Sequence, residues 1–283
     1  GQNNVQGACD MGVLPNQFPG YQDVEDAAVR EKFARAWGID PAVMDDKIGV
    51  RITEVPHLAL EGKVKAYYIM GEDPLQTEAD LGLVRQGFEA LDFVVVQDIF
   101  MTKTAEVADV LLPATSWGEH GGVFTCADRG FQRFEAAVQA KYNVKRDWEI
   151  ISLIATAMGY PMHYDNNQQL WDEMRELCPL CYGVTYQKMG DMGHVQWPCP
   201  TLDHPGTPYL YAGNRFDTPS GKGQLFAAAW RAPAEQPDAD YPLVLCTVRE
   251  VGHYSCRSMT GNCAALQTLA DEPGRVQMHP QDA

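Results

Sequence analysis

Between Val64 and about Thr125 the chain alternates short apolar runs with amphipathic stretches: Lys65-Ala-Tyr-Tyr-Ile-Met70, then Asp80 to Leu91, Phe93-Val-Val-Val96, Thr104 to Ala108 and Val110-Leu-Leu112. Near-continuous apolar strands separated by crossover segments predict a parallel sheet buried on both faces, a doubly wound, Rossmann-like α/β unit. Ligands of such sheets bind beyond the carboxyl ends of the strands. Three segments fall there: Gly71-Glu-Asp-Pro74, Gln97-Asp98 and Pro113-Ala-Thr-Ser-Trp117.

Further along, apolar residues at 148, 151, 154, 155 and 158 share a helical face, with Asp147 expected as N-cap and Gly159 as terminator. A second helix is predicted over Gln168 to Leu177. From about Cys199 to Ala239 repeated prolines interrupt regular structure. The domain boundary is therefore expected near Pro208, dividing residues 1–207 from 208–283. Tyr241-Pro-Leu-Val-Leu-Cys-Thr-Val248 then reads as a strand opening a second, β-rich domain.

Charge narrows the possible partners. Against 38 Asp plus Glu the 283 residues carry 22 Lys plus Arg, a net charge of −16, which repels a phosphate backbone and anionic membrane surfaces. No nucleic acid is expected as a general partner. No apolar run reaches the roughly 18 residues of a membrane span, and the opening Gly-Gln-Asn-Asn has no basic or apolar leader character. Eight scattered cysteines are too sparse for a disulfide scaffold, so reduced thiols and a cytoplasmic location are expected. Cys178-Pro-Leu-Cys181 has metal spacing but no second pair to complete four ligands, and reads as structural. The absent initiator Met, and an end at Gln281-Asp-Ala283 where a helix looks about to begin, lead us to expect an internal piece of a longer protein.

Candidate chemistry gathers at the strand ends. In Gly71-Glu72-Asp73-Pro74 the glycine permits a sharp turn, the proline fixes φ, and two carboxylates remain to accept from nucleotide hydroxyls or from the N–H edge of guanine. The plain alternative is a solvated turn with a capping Asp. Gln97 and Asp98 repeat that logic one strand over, and Thr77 lies early in the helix that follows the first loop. For Asp147, helix capping needs no ligand to explain it. Near the C-terminal end, Arg249, Glu250, His253 and Ser255 follow a strand, with Gly252 permitting close approach; guanidinium, carboxylate, imidazole and hydroxyl within seven residues suit a polar ligand. The plain alternative is again a solvated turn. His120, beside Gly121-Gly122, reads as a loop residue with one hydrogen bond and no catalytic role. Neither a Gly-x-Gly-x-x-Gly nor a Gly-Lys-Ser/Thr signature occurs, which argues against an ordinary NAD or ATP site.

The opening Gly1-Gln-Asn-Asn-Val-Gln-Gly7, Gly71-Glu-Asp-Pro74, the Leu-Pro run of Ala108 to Thr125, Cys126-Ala-Asp-Arg-Gly-Phe-Gln132 and Cys246 to Asn262 together resemble the formate dehydrogenases of the molybdopterin oxidoreductase family, particularly their hydrogenase-linked branch. The Cys126 to Gln132 segment favours that branch over nitrate or dimethyl sulfoxide reductases. The resemblance implies a Rossmann-like domain followed by the truncated start of a β-barrel of the double-psi type. It implies bis-molybdopterin guanine dinucleotide with molybdenum or tungsten, held by Gln2, Gly71, Glu72, Asp73, Thr77, Gln97, Asp98, Asp147, Arg249, Glu250, His253 and Ser255. No residue of this chain is expected to ligate the metal or to be catalytic, and the 4Fe-4S ligands are expected outside it. Formate is the implied substrate, and an iron–sulfur electron-transfer subunit or a hydrogenase complex the implied partner. The alternatives are an NAD-coupled or other molybdopterin enzyme, and a non-catalytic electron-transfer or structural subunit that keeps the fold.

Overall fold

In the computed structural model, which describes residues 4–248, 252–253, 256–269 and 275–282, Asn4 caps helix α1 (Val5–Asp10) by accepting from the Gly7 N–H at 3.1 Å. The chain forms two units, Gly1–Pro208 and Tyr209–Ala283. In the first, a short hairpin of β1 (Gln17–Phe18) and β2 (Gln22–Asp23) precedes α2 (Ala27–Trp37). Asp26 caps α2 through the Ala28 N–H, and Gly38 ends it in the left-handed region. The buried Asp10 accepts from Gln6 and Tyr21 on one oxygen and from Trp197 on the other. Three donors thus satisfy a carboxylate that would be costly to bury alone.

After α3 (Val55–Leu60) come β3 (Ala66–Met70), the single turn α4 (Pro74–Thr77), α5 (Leu81–Glu89), β4 (Phe93–Asp98) and β5 (Val110–Pro113). Asp80 caps α5 by accepting from Leu83. The strands form a parallel sheet in the order β3-β4-β5, as the apolar runs predict. Its register sets Met70 beside Gln97 and Asp98 beside Pro113, so the three carboxyl ends lie level. Ile69, Val94 and Val96 pack with Leu75 of α4 and Val84 and Phe88 of α5. Burial on both faces is incomplete: on β4 Gln97 is buried opposite Val96, but edge strand β3 is covered on one side only. Tyr68 and Met70 keep 43% and 51% of their surface exposed, because α4 and α5 send their apolar residues to the Ile69 side alone.

A second, antiparallel sheet joins β6 (Gly122–Thr125), β7 (Gly130–Phe134) and β8 (Val195–Gln196). Between β7 and β8 run α6 (Asp147–Ala157), α7 (Asn167–Leu177) and α8 (Tyr186–Met192). Asn166 caps α7 and Thr185 caps α8. Phe131, Trp171, Met189 and Val195 form the core of this region with Cys178, Cys181 and Cys199. Cys178-Pro-Leu-Cys181 therefore packs as apolar volume, both thiols buried in this core.

In the second unit the described residues form isolated turns and one short helix, α9 (Ala264–Gln267). The strand expected over Tyr241–Val248 is not formed, and the segment is exposed throughout. No other strand lies among the described residues of that unit to supply a ladder, and a strand needs a hydrogen-bonding neighbour to persist. The expected barrel start accordingly has no counterpart in the described residues.

Candidate functional site

Gly71 leaves β3 with φ +65°, a conformation that side-chain-bearing residues rarely adopt, and its N–H extends the ladder to the Gln97 carbonyl at 3.0 Å. The chain then turns so that Glu72 is exposed while Asp73 is buried. Asp73 is neither a solvated turn residue nor a side-chain cap of α4. Its Oδ1 accepts from the N–H and the hydroxyl of Thr104, at 2.9 and 2.6 Å, and Thr104 Oγ1 accepts in turn from Leu75 N–H at 3.1 Å. The loop after β3 is thereby fastened to the loop after β4. Thr77 is the last residue of α4, later than the early position expected from the sequence.

On β4, Gln97 is 1% exposed and spends its amide on two neighbours. Tyr68 donates its hydroxyl to Oε1, and Nε2 donates to Asp147 Oδ1 at 2.6 Å. Asp147 is the first residue of α6 rather than its N-cap. Glu149 reaches back to the Arg146 N–H at 2.9 Å and does the capping, which leaves the Asp147 carboxylate to face the sheet. An Ala114–Lys145 bridge, with Thr115 N–H donating to the Lys145 carbonyl, brings this segment beside the continuation of β5.

Asp98 ends β4 and accepts from Phe100 N–H at 2.9 Å. It borders a pocket of about 170 Å³ lined otherwise by apolar groups, among them Ile99, Phe100, Met101, Leu111 and Pro113. Burial raises the Asp98 carboxyl above its ordinary range, and the negative charges of Asp73 and Asp147 add to the effect. Burial likewise raises the Tyr68 phenol, with Asp147 contributing, and the Tyr67 phenol, with Glu78 and Glu72 contributing. A ligand presenting N–H or O–H donors would relieve the negative field at Asp98.

The structure thus brings Gly71, Asp73, Gln97, Asp98 and Asp147 together at one sheet end, with Glu72 and Thr77 in the adjoining turn. Two contributors escape sequence reading. Tyr68 and Thr104 look like ordinary strand and crossover residues, and only the parallel register brings them to Gln97 and Asp73. His120 bonds Thr115 at 3.0 Å and meets Phe134 edge-on, as a loop residue.

In the second unit His253 is 7% exposed. Its Nδ1 is 2.8 Å from Thr260 Oγ1, and its buried Nε2 has no hydrogen-bond partner among the described residues. Gln2, Arg249, Glu250 and Ser255 lie outside the described residues.

A family model described as molybdopterin oxidoreductase matches residues 1–157, more than half of the chain. This chain belongs to the molybdopterin oxidoreductase family. Over its whole length it is 63% identical to formate dehydrogenase H of Escherichia coli, covering 39% of that protein. It is 41% identical to the F420-dependent formate dehydrogenase 1 subunit alpha of Methanococcus maripaludis and 33% identical to the assimilatory nitrate reductase catalytic subunit of Bacillus subtilis, in each case over all of this chain and 41% of the relative. The chain spans about two fifths of the length of these curated relatives. Membership implies a molybdopterin cofactor.

Proposed function

We propose that this chain is the nucleotide-holding part of a formate dehydrogenase, and that the strand-end crevice binds guanosine of a molybdopterin guanine dinucleotide. The observation that carries the reading is that Asp98 borders a pocket otherwise apolar, with Asp73 and Asp147 near enough for their charges to raise its carboxyl. Guanine presents N1–H and N2–H donors along one edge of a flat ring. A carboxylate accepting from that edge, with apolar groups against the ring face, suits both features. Glu72 and Thr77, in the turn beside Asp73, are assigned to the ribose hydroxyls, and Gly71 lets the backbone approach them.

Gln97 is assigned to hold Asp147 in position, because both ends of its amide are committed within the chain. In the second unit, His253 Nε2 is a buried polar atom that a pterin ring nitrogen or amine would satisfy. Arg249, Glu250 and Ser255 are proposed for the same pterin, and Gln2 for the cofactor or substrate shell. Residues 1–207 are read as the domain that holds the dinucleotide.

When bound, the molybdenum or tungsten cofactor supplies two-electron chemistry, with formate losing two electrons and one proton to become carbon dioxide. The chain's own part is to bind and orient the dinucleotide, and the hydrogen bonds it makes tune the group that reacts. Electrons are proposed to leave through a 4Fe-4S cluster outside this chain, towards an iron–sulfur subunit or a hydrogenase complex. Formate is favoured over nitrate as substrate by 63% against 33% identity to the relatives so named. A cytoplasmic setting is favoured by eight scattered cysteines, too sparse for a disulfide scaffold.

The test is formate-dependent reduction of an artificial electron acceptor by the full-length protein that contains this chain. Turnover with formate and none with nitrate is the expected result. A metal-loaded protein that ignores formate contradicts the reading.

A further inference from the structure

The turn between β6 and β7, Cys126-Ala-Asp-Arg-Gly130, carries a thiol and a carboxylate, and His194, in the link between α8 and β8, brings an imidazole against them. One ligand atom from each of Cys126, Asp128 and His194 lies within 4.8 Å of the others. His194 is far from Cys126 and Asp128 in the sequence and meets them because Gly130 pairs with Gln196 and Phe131 with Val195.

The scaffold is fixed on both sides. Cys126 N–H donates to the Gly130 carbonyl at 2.9 Å, Arg129 N–H to the Cys126 carbonyl at 2.9 Å, and Gly130 N–H to Asp128 Oδ1 at 3.0 Å. Gln196 Nε2 donates to the Asp128 carbonyl at 2.9 Å. Gly130 is required by the approach of the imidazole, since a Cβ there would lie 1.7 Å from His194 Nε2. The nearby cation Arg129 is turned away, donating to the carbonyls of Trp197, Thr207 and Pro208. It makes no ion pair with Asp128.

His194 Nε2 lies 3.3 Å from Asp128 Oδ2, yet this buried nitrogen makes no hydrogen bond among the described residues. A nitrogen and a carboxylate oxygen 3.3 Å apart and outside hydrogen-bonding geometry are spaced as two ligands of one tetrahedral cation would be. We propose that Cys126 Sγ, Asp128 Oδ2 and His194 Nε2 form a site for a borderline-soft divalent cation of the Zn²⁺ class, with water in the fourth position. Thiolate and imidazole together select Zn²⁺ or Co²⁺ over Mg²⁺ and Ca²⁺, which prefer oxygen ligands. On coordination the Cys126 S–H proton leaves to solvent and its sulfur electron pair forms the metal bond. The site shares no residue with the strand-end crevice and does not depend on the function proposed above.

The experiment adds Co²⁺ to protein carrying this chain after removal of adventitious metal, and reads the thiolate-to-cobalt charge-transfer absorption. One equivalent of Co²⁺ is expected to develop the band, and Zn²⁺ to bleach it. Cys126→Ser should abolish it, while Cys246→Ser, which removes an exposed thiol elsewhere, should leave it unchanged. His194→Gln should weaken Co²⁺ binding by about tenfold or more, and it carries the same test if Cys126→Ser does not fold. No band in folded wild-type protein, or an undiminished band in folded Cys126→Ser or His194→Gln, overturns the proposal and leaves His194 and Asp128 as a plain ion pair.

Discussion

Gln97 Nε2 donates to Asp147 Oδ1 across 2.6 Å, linking the end of a buried strand to the first residue of a helix 50 positions away. The Tyr68 hydroxyl occupies the other end of the amide. Gln97→Leu leaves the tyrosine and the carboxylate without that partner, and should lower unfolding free energy by about 1–3 kcal/mol. Asp147→Asn keeps an acceptor oxygen for Gln97 and should change stability much less. Urea unfolding of the two variants checks the contrast.

Asp73 and Thr104 form the second fastening, between two loops rather than between strand and helix. Thr104→Val preserves volume but removes the hydroxyl that donates to Asp73 and accepts from Leu75 N–H. A loss of about 1–3 kcal/mol is expected, with faster amide exchange at Leu75 as the local readout. Unchanged exchange there would show that the loops are held by something else.

Asp98 gives a pH dependence of definite sign. Its carboxyl is raised in the folded chain by burial, with Asp73 and Asp147 adding to the shift, so the native state binds this proton more tightly than the unfolded state does. The stability it contributes is therefore full below the ordinary carboxylate value of about 3.9 and is lost as pH rises through the higher, folded value. Asp98→Asn keeps an acceptor for Phe100 N–H and removes the titration. The variant should gain stability relative to wild type at pH ~7 and lose that advantage towards pH ~4. Chemical unfolding at the two values measures it.

Phe131 anchors the second core at 1% exposure, beside Trp171 with ring centroids 5.1 Å apart. Phe131→Ala should cost about 3–5 kcal/mol. Thermal melting of the purified variant reads the loss.

The parallel sheet was legible because its strands are continuous apolar runs, and the end of the helix after Asp147 announced itself through Gly159. The strand-end carboxylates were legible for the same reason: position after an apolar run fixes where a side chain emerges. What stayed hidden depends on register and on distant pairing. Nothing local marks Tyr68 or Thr104 as partners of Gln97 and Asp73, and Asp147 looked like a cap because the reach of Glu149 back to Arg146 shifts the helix start by one residue. Tyr241 to Val248 has strand composition, but composition cannot supply a neighbouring strand. His194 and Cys126 are 68 residues apart and meet only through the β7–β8 pairing.

The most direct test of the crevice is the guanine nucleotide and metal content of the full-length protein, purified as wild type and with Asp147→Asn. The substitution preserves the bond to Gln97 while replacing a carboxylate oxygen with an amide donor that opposes the donors of guanine. We predict a folded protein whose guanine nucleotide and metal content fall together. A folded Asp147→Asn protein with wild-type guanine and metal content would contradict the assignment of this crevice to the dinucleotide.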